Sequence, residues 1–447
     1  MKKVITYGTY DLLHFGHIRL LERAKALGDY LIVGITSDAF DRARGKINVQ
    51  QSLVERIEAV KNTGIADEIV VEEYEGQKID DIKRLGVDIF TVGSDWVGKF
   101  DYLKEFCEVV YLDRTEGVSS SDIRASRREI RVGLIGNTRL LGKYAAESRY
   151  VNGAAVVGVC TDNRAVLLPE LAALPCVTES MDELLANVDA VFVLNHPSEH
   201  YRDIRTALEA GRHVLCESPI TLRRSECEEL YALAEEKGLI LYDAIRTAYA
   251  TAYERLLLLA KGGKIGDVVS VRSTCTSLFE TTLSSADLHY RPWSSMCAWG
   301  PTAMLPIFQL LGVDYRSKSI VTRFLNEEES FDSFSEIGFL YDHAVGSSLV
   351  GKRIKSEGEL VISGTKGYIY VPAPWWKTDY FEIRYENQTD NKRYFYQLDG
   401  DGIRNEIVSF VRSINVGRSE SSVDRAISLA ITDVIEDFTE RRHTKVI

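Results

Sequence analysis

The sequence predicts an α/β protein made of two successive βα-rich blocks, the second running on into an open antiparallel sheet. Three observations carry this reading. Apolar strand-like runs alternate with amphipathic helical runs over the first half of the chain, and such alternation calls for parallel sheets covered on both faces by helices. All nine prolines lie at or after Pro169, so the composition shifts between the blocks. Beyond residue 268 the helical runs give way to longer β-rich stretches.

In the first block KKVITYG reads as a strand, HIRLLERAKALG as a helix beginning around His17, and DYLIVGIT as a buried strand, which together form a βαβ unit. Helix SLVERIEAVKNTG, strand DEIVVEE, helix KIDDIKRLG and strands DIFTVGS and CEVVYLD continue the pattern. The helical segment SSDIRASRRE leads, with no flexible linker, into a second start at IRVGLIG. Strands AAVVGVCTD, VDAVFVLN, HVLCESP and GLILYDA follow, then VVSVRSTCTS, SEIGFLYD, GELVISG and GYIYVPA as an antiparallel sheet with one solvated face. IRNEIVSFVRSIN and VDRAISLAITDVIEDFTERR close the chain as amphipathic helices. The expected domains are residues 1–128, 129–249 and 250–447.

At 447 residues the chain exceeds one domain, given roughly 100 to 200 residues per domain. It is 45% hydrophobic and 27% charged with a net charge of -12, which excludes the broad basic surface that nucleic acid requires. The seven cysteines are scattered and odd in number, so neither a disulfide framework nor a zinc ribbon is expected, and a reducing cytoplasm fits. No signal-type apolar core follows MKK, and no apolar run approaches the roughly 20 residues needed to cross a bilayer.

The stretch YGTYDLLHFGH places His14 and His17, two of eight histidines, between a strand end and a helix start. Free backbone N–H groups and the helix dipole favour an anion there, and Gly8 and Gly16 permit close backbone approach. Spacing alone leaves a catalytic pair, a metal site and ordinary turn residues open; metal is the weakest, since nothing in the pattern completes a zinc shell.

Residues 1 to about 125 resemble the glycerol-3-phosphate cytidylyltransferases on GTYDLLHFGHIRLLERAKALGDY, GSDWVGKFDYLKEFCEVVYL and RTEGVSSSDI. The resemblance implies attack by a substrate phosphate oxygen on the α-phosphate of CTP, with pyrophosphate leaving, a reaction that needs positioned donors and cations more than a nucleophilic side chain. His14 and His17 would donate to the α-phosphate. Arg44 and Lys46 fall where the family places two cations, arginine standing where lysine is commoner. Arg114 would bind the pyrophosphate portion, with Thr115 beside it, and Ser119 and Ser120 would cap a helix near the triphosphate. Gly8, Thr9, Tyr10 and Asp11 match the signature, Asp11 as a contact to Mg²⁺ or ligand, and Asp95 and Trp96 match a segment near nucleoside or acceptor. The implied partners are CTP with Mg²⁺ and a phosphorylated polyol, and the implied destination is a wall, teichoic-acid-like or capsule polymer.

In VGLIGNTRLLG the glycines Gly133 and Gly136 stand in a blurred dinucleotide fingerprint: Thr138 occupies the place of the second loop glycine and Gly142 is one residue late. Asp162 ends VVGVCTD where a ribose hydroxyl is usually received. Residues from about 130 onward resemble the glucose-fructose oxidoreductase, inositol dehydrogenase and MocA family on VFVLNHPSEHYRDIRTALEAGRHVLCESP, AYATAYERLLLLAKGGKIGDVVSVR and GTKGYIYVPAPWW. The resemblance implies a Rossmann domain, then an open sheet often used for oligomerisation, and NAD or NADP near Gly133, Gly136, Asp162, Asn195 and Glu217. A homo-oligomer, most simply a dimer, follows from both resemblances.

The family's catalytic lysine lies in an EKP tripeptide, and this chain has Glu217, Ser218 and Pro219. The family's downstream acid and base fall on Pro301 and Leu305. Serine supplies no cation and proline and leucine no proton, so ordinary alcohol oxidation loses its electrostatic and proton-transfer help. A divergent reductase, a non-catalytic binding module and a dimerisation scaffold remain as readings. His196, His200, Asp243, Arg246, Asp287, His289 and Tyr290 border the implied cleft; His200 reads as surface helix and Asp243 and Arg246 as strand-end hydrogen bonders. Asp287 and His289 read as solvated loop, and Trp293, Trp299, Trp375 and Trp376 as packing or interface.

Overall fold

The computed structural model describes residues 1–43, 46, 48–113, 129–278, 293–326, 331–396 and 398–447. The chain forms two compact units, Met1–Glu129 and Ile130–Ile447. The helix expected over SSDIRASRRE lies outside the described residues, except for its last, Glu129.

In the first unit, strand β1 (Lys3–Gly8), helix α1 (Phe15–Lys25), β2 (Tyr30–Thr36), α2 (Asp38–Ala43), α3 (Leu53–Asn62), β3 (Glu68–Glu72), α4 (Gln77–Leu85), β4 (Ile89–Gly93) and β5 (Glu108–Leu112) follow in order. The strands are parallel in the order β3-β2-β1-β4-β5. Val4, Leu31, Val33 and Ile89 face one apolar layer with Leu21 and Val60, while Ile5, Ile32, Phe90 and Val92 face the other with Ile82 and Leu103. The near-continuous apolar strands of the sequence are thus strands buried on both faces. The order reverses beside β1, so the carboxyl ends of β1 and β4 flank the crevice where ligands enter open α/β sheets.

The second unit begins with β6 (Ile130–Ile135), α5 (Leu140–Ser148), β7 (Ala154–Cys160), α6 (Pro169–Ala172), β8 (Cys176–Thr178), α7 (Met181–Asn187), β9 (Ala190–Val193), α8 (Pro197–Glu209), β10 (His213–Glu217), α9 (Arg224–Glu236) and β11 (Leu241–Ala244). These strands are parallel in the order β11-β10-β9-β6-β7-β8, the doubly wound arrangement.

Helix α10 (Thr251–Lys261) leads to β12 (Val268–Thr276), α11 (Ser295–Leu311), β13 (Ser317–Asn326), β14 (Phe331–Leu340), β15 (Val345–Gly351), β16 (Leu360–Gly364), β17 (Gly367–Val371), β18 (Tyr380–Tyr385) and β19 (Lys392–Phe395). Helices α12 (Ile403–Val416) and α13 (Arg425–Thr439) and the short β20 (Thr444–Val446) end the chain. The sheet, β19-β18-β17-β16-β12-β15-β14-β13-β20, is mixed rather than purely antiparallel. Helix α11 carries the chain away before a β13-β14-β15 meander returns, so β15 arrives parallel to β12, and β20 adds parallel to the β13 edge. Pro301 and Leu305 are buried within α11, among the apolar residues that pack against this sheet.

Candidate functional site

The first site grows out of the turn after β1. Tyr10 and Leu12 adopt left-handed backbone, with φ of 53° and 49°. A side chain on Gly8 would meet the Tyr10 ring at 2.9 Å, so glycine there lets Tyr10 fold back into the core. His14, expected in the loop, is the N-cap of α1: its Nδ1 accepts from the Gly16 N–H at 3.1 Å, and the helix starts at Phe15, two residues ahead of the expected His17. The capping bond satisfies a terminal donor and sets the ring at the helix mouth. His17, one turn on, stacks on His14 with centroids 3.9 Å apart and meets Tyr10 edge-on at 5.4 Å.

Burial, then the nearby His14 and Lys46 charges, holds the His17 pKa down at about 3. The ring is therefore neutral near pH 7, with Nδ1 buried and without a hydrogen-bond partner among the described residues.

Lys46 is exposed, and its Nζ donates to Thr9 Oγ1 at 2.9 Å. Thr9 in turn donates to Asp41 Oδ1 at 3.1 Å, while Thr36 donates to Asp41 Oδ2 at 2.6 Å. Beneath them lies Arg56, with 0% exposure. Its guanidinium donates to the carbonyls of Thr9 at 2.8 Å, Thr36 at 2.9 Å and Gln51 at 3.1 Å and pairs with Asp38 and Asp41. Asp11, expected as a contact to Mg²⁺ or ligand, accepts at Oδ1 from the backbone of Gln50 and Gln51, both at 3.0 Å, which braces that loop. Among the described residues no group of three His, Cys, Asp or Glu side chains could hold a metal.

Asp95 and Trp96 lie exposed on a single turn, Ser94–Trp96, just past β4. Trp96 is 40% exposed, with Lys99 Nζ 5.2 Å from its centroid. Lys78, unforeseen from sequence, is buried with Glu72 and lies 4.7 Å from the Tyr7 centroid and 5.5 Å from that of Phe100. Arg44, Arg114, Thr115, Ser119 and Ser120 lie outside the described residues, as do Asp287, His289 and Tyr290.

In the second unit, the fingerprint glycines serve packing. Gly133 lies inside β6 facing Leu184, where a side chain would approach to 2.9 Å. Gly133, expected near the cofactor, thus lets Leu184 pack closely over the strand. Gly136, with φ of 153°, brings the β6 turn against the Leu194–Asn195 backbone, again 2.9 Å from an added side chain. Thr138 reaches the same segment through a 3.3 Å bond to the Leu194 carbonyl. Asp162 is exposed just past β7, and Asn195, just past β9, donates to Glu199 at 3.2 Å and to Asp203.

Three ordinary readings are corrected here. His200 is not on the surface: it is fully buried, with Nδ1 2.8 Å from the Pro219 carbonyl and Nε2 3.0 Å from that of Asn195. It thereby joins the exits of β9 and β10. Asp243 is fully buried, and neither carboxylate oxygen has a partner at hydrogen-bond distance. Burial pushes its pKa up to about 6, although the Ser218 and Ser428 hydroxyls are near enough to oppose this. Arg246, half-buried, faces a cluster of acidic groups: burial works against its charge, but Glu217, Tyr144, Asp401 and Glu406 outweigh this and raise its pKa. The tryptophans pack as expected: Trp375 is buried, Trp299 lies 4.9 Å from Trp376, and Trp293 lies edge-on to His196 and His200.

Ser218 occupies the expected lysine position, its hydroxyl buried beside the Asp243 carboxyl. Next to it, the Tyr144 hydroxyl lies 3.2 Å from a Glu217 oxygen and 3.1 Å from a Glu406 oxygen. Burial raises the pKa of both glutamates, against which the Tyr144 hydroxyl and the Arg246 charge act. All seven cysteines are free.

Comparison with known proteins divides the chain at the same place. Residues 5–126 match the family described as cytidylyltransferase-like, and residues 130–244 match the oxidoreductase family with an NAD-binding Rossmann fold. A glycerol-3-phosphate cytidylyltransferase of Bacillus subtilis (strain 168) is 52% identical over 124 residues, covering 28% of this chain and 95% of that enzyme. Its namesake in Staphylococcus aureus is 48% identical over 124 residues, covering 28% and 93%. Among solved structures, KijD10, a 3-ketoreductase from Actinomadura kijaniata solved with NADP and TDP-benzene, matches with a TM-score of 0.63 at 18% identity, covering 72% of this chain and 99% of that one. The UDP-N-acetylglucosamine 3-dehydrogenase GnnA from Acidithiobacillus ferrooxidans matches at 0.58 and 19%, covering 71% and 99%. At such identities the likeness is one of fold.

Proposed function

Because this chain belongs, through its first 126 residues, to the cytidylyltransferase-like family, we propose that it transfers CMP from CTP to a small phosphorylated polyol, glycerol 3-phosphate being the nearest analogue. The products are a CDP-alcohol and pyrophosphate. The observation that carries this reading is the stacked His14–His17 pair at the mouth of α1, with Lys46 held on Thr9 beside it.

Attack of the acceptor phosphate on the α-phosphate crowds negative charge into the transition state, and preorganised donors lower its energy most where they need not reorganise. Neutral His17 donates a hydrogen bond without losing a proton, the His14 cap holds the helix end toward the anion, and Lys46 supplies the charge. Arg56 fixes the loops that carry these groups. Mg²⁺ entering with CTP would be held largely by the phosphate oxygens and would neutralise charge on the leaving pyrophosphate. Arg44, Arg114, Thr115, Ser119 and Ser120 complete the proposed site, with Asp95 and Trp96 beside the acceptor or base. The CDP-alcohol would feed a cell-surface polymer from a cytoplasmic, homodimeric enzyme.

His17→Ala should abolish pyrophosphate release from CTP and glycerol 3-phosphate while leaving circular dichroism unchanged. Near-normal turnover in that variant rejects the assigned role.

For the second unit we propose a Rossmann domain, 129–249, and an α+β domain, 250–447, whose redox chemistry is altered or lost. Ser218, Pro301 and Leu305 in place of lysine, acid and base favour this. NAD or NADP would lie across Gly133, Gly136, Asp162, Asn195 and Glu217; nicotinamide fluorescence during NADH and NADPH titration checks this, and absorbance at 340 nm with candidate keto-phosphates separates a reductase from a binding module. A reductase acting on a related sugar phosphate is the alternative reading.

A further inference from the structure

Lys46 is exposed, and its charge is felt at His17, so it stands beside the histidine pair. A lysine stem left in water samples many rotamers, and an ammonium that serves a phosphate gains from being held in place beforehand. Asp41, on the short helix α2 and 1% exposed, holds Lys46 at both ends. Its carbonyl accepts from the Lys46 N–H at 2.8 Å, which fixes the backbone. Its carboxylate reaches the ammonium through Thr9. An ammonium only donates and a carboxylate only accepts, so the single Thr9 hydroxyl proton goes to Asp41 Oδ1, 3.1 Å away, and a Thr9 lone pair faces Lys46 Nζ at 2.9 Å.

The carboxylate is itself held. Thr36, at the end of β2, donates to Asp41 Oδ2 at 2.6 Å, and Arg56 Nη1, on α3, lies 3.3 Å from the same oxygen. Thr36 Oγ1 stands 3.4 Å from Thr9 Oγ1, so a Thr9 proton released from Asp41 has a rival acceptor there. A hydroxyl whose proton is drawn off by a carboxylate is the stronger acceptor on its other side. We propose that Asp41 is a positioning residue: by orienting and polarising the Thr9 hydroxyl, it fixes the Lys46 ammonium toward an incoming phosphate. That this phosphate belongs to CTP rests on the function proposed for the first unit; the grip on Lys46 does not.

Pyrophosphate release from CTP and glycerol 3-phosphate by the full-length protein, followed through a double-mutant cycle, tests this. Asp41→Ala should lower kcat by about tenfold to a hundredfold, the scale of loss when a reacting group is misplaced by about 1 Å. Asp41→Asn, whose amide oxygen still accepts from Thr9, should recover most of it. In a Thr9→Val background, where the link is already cut, Asp41→Ala should cost nothing further. A structural role, through Arg56 or the fold, gives the same added loss in both backgrounds; that result overturns the proposal, as does unchanged kcat in Asp41→Ala. NMR relaxation of the lysine Cε groups reads the grip without turnover: Lys46 should become as mobile as an untethered surface lysine in Asp41→Ala and stay ordered in Asp41→Asn. An equally ordered Lys46 in Asp41→Ala overturns the proposal. Should the wild type release no pyrophosphate while Asp41→Ala mobilises Lys46, the first unit's reading fails and the grip on Lys46 stands.

Discussion

Arg56 is a full charge with no exposed surface, and its guanidinium meets three carbonyls and two aspartates. Replacing it by lysine keeps one charge but loses the fork, so two aspartates and several carbonyls lose partners. Arg56→Lys should destabilise the first unit by about 3 kcal/mol in urea unfolding and cut turnover by roughly a hundredfold, because displacement of Thr9 carries Lys46 with it. Asp243 shows the opposite cost, a buried acid short of partners. Its folded pKa, about 6, exceeds the ordinary 3.8, so folding favours the protonated form, and stability declines as pH rises from about 4 to about 6. Asp243→Asn should therefore stabilise the second unit by up to about 3 kcal/mol at pH 7.5 and by almost nothing at pH 4, read from unfolding midpoints at the two pH values. His14, His17 and Lys46 were legible in the sequence because their chemistry is written in a local motif. Arg56 was not, since VERIEA reads as a solvated helix face; the available signal was its place between Leu53 and Val60 on the apolar side of α3.

The elements were legible wherever hydrophobic period dominated, as in all five strands of the first parallel sheet and five of the six in the second; the three-residue β8 is too short to show a period. Caps and crossovers were less so. The start of α1 moved to Phe15 because a histidine, rather than a serine or aspartate, supplies the cap. Helix α2 is only six residues and has too few turns to show a period. The mixed nine-stranded sheet follows from the path of α11 and from the terminal β20, neither of which a strand's own pattern encodes. Gly136 is an element-scale residue, because it lets the turns after β6 and β9 touch. Gly136→Ala should force them apart, lowering the stability of the second unit by about 1–3 kcal/mol in denaturant unfolding with the first unit unaffected.

At the scale of the whole chain there are two units. Within the second, one apolar core runs from Ile130 through Tyr242 and Trp375 to Phe438, joining the doubly wound sheet to the mixed sheet. Calorimetry should accordingly show two transitions, one per unit. CTP at a hundred times its dissociation constant should raise only the first, by about 2.7 kcal/mol. The sequence by itself determined the parallel sheets, the boundary near residue 130 and the histidine pair, because hydrophobic period and short motifs are properties of neighbouring residues. Only tertiary structure decided that Asp11 accepts from the Gln50 and Gln51 backbone, that His200 is buried, that Leu184 packs over Gly133 and that Arg246 is set among Glu217, Tyr144, Asp401 and Glu406. Each depends on residues brought together from distant parts of the chain, and burial and hydrogen bonding are set by those neighbours.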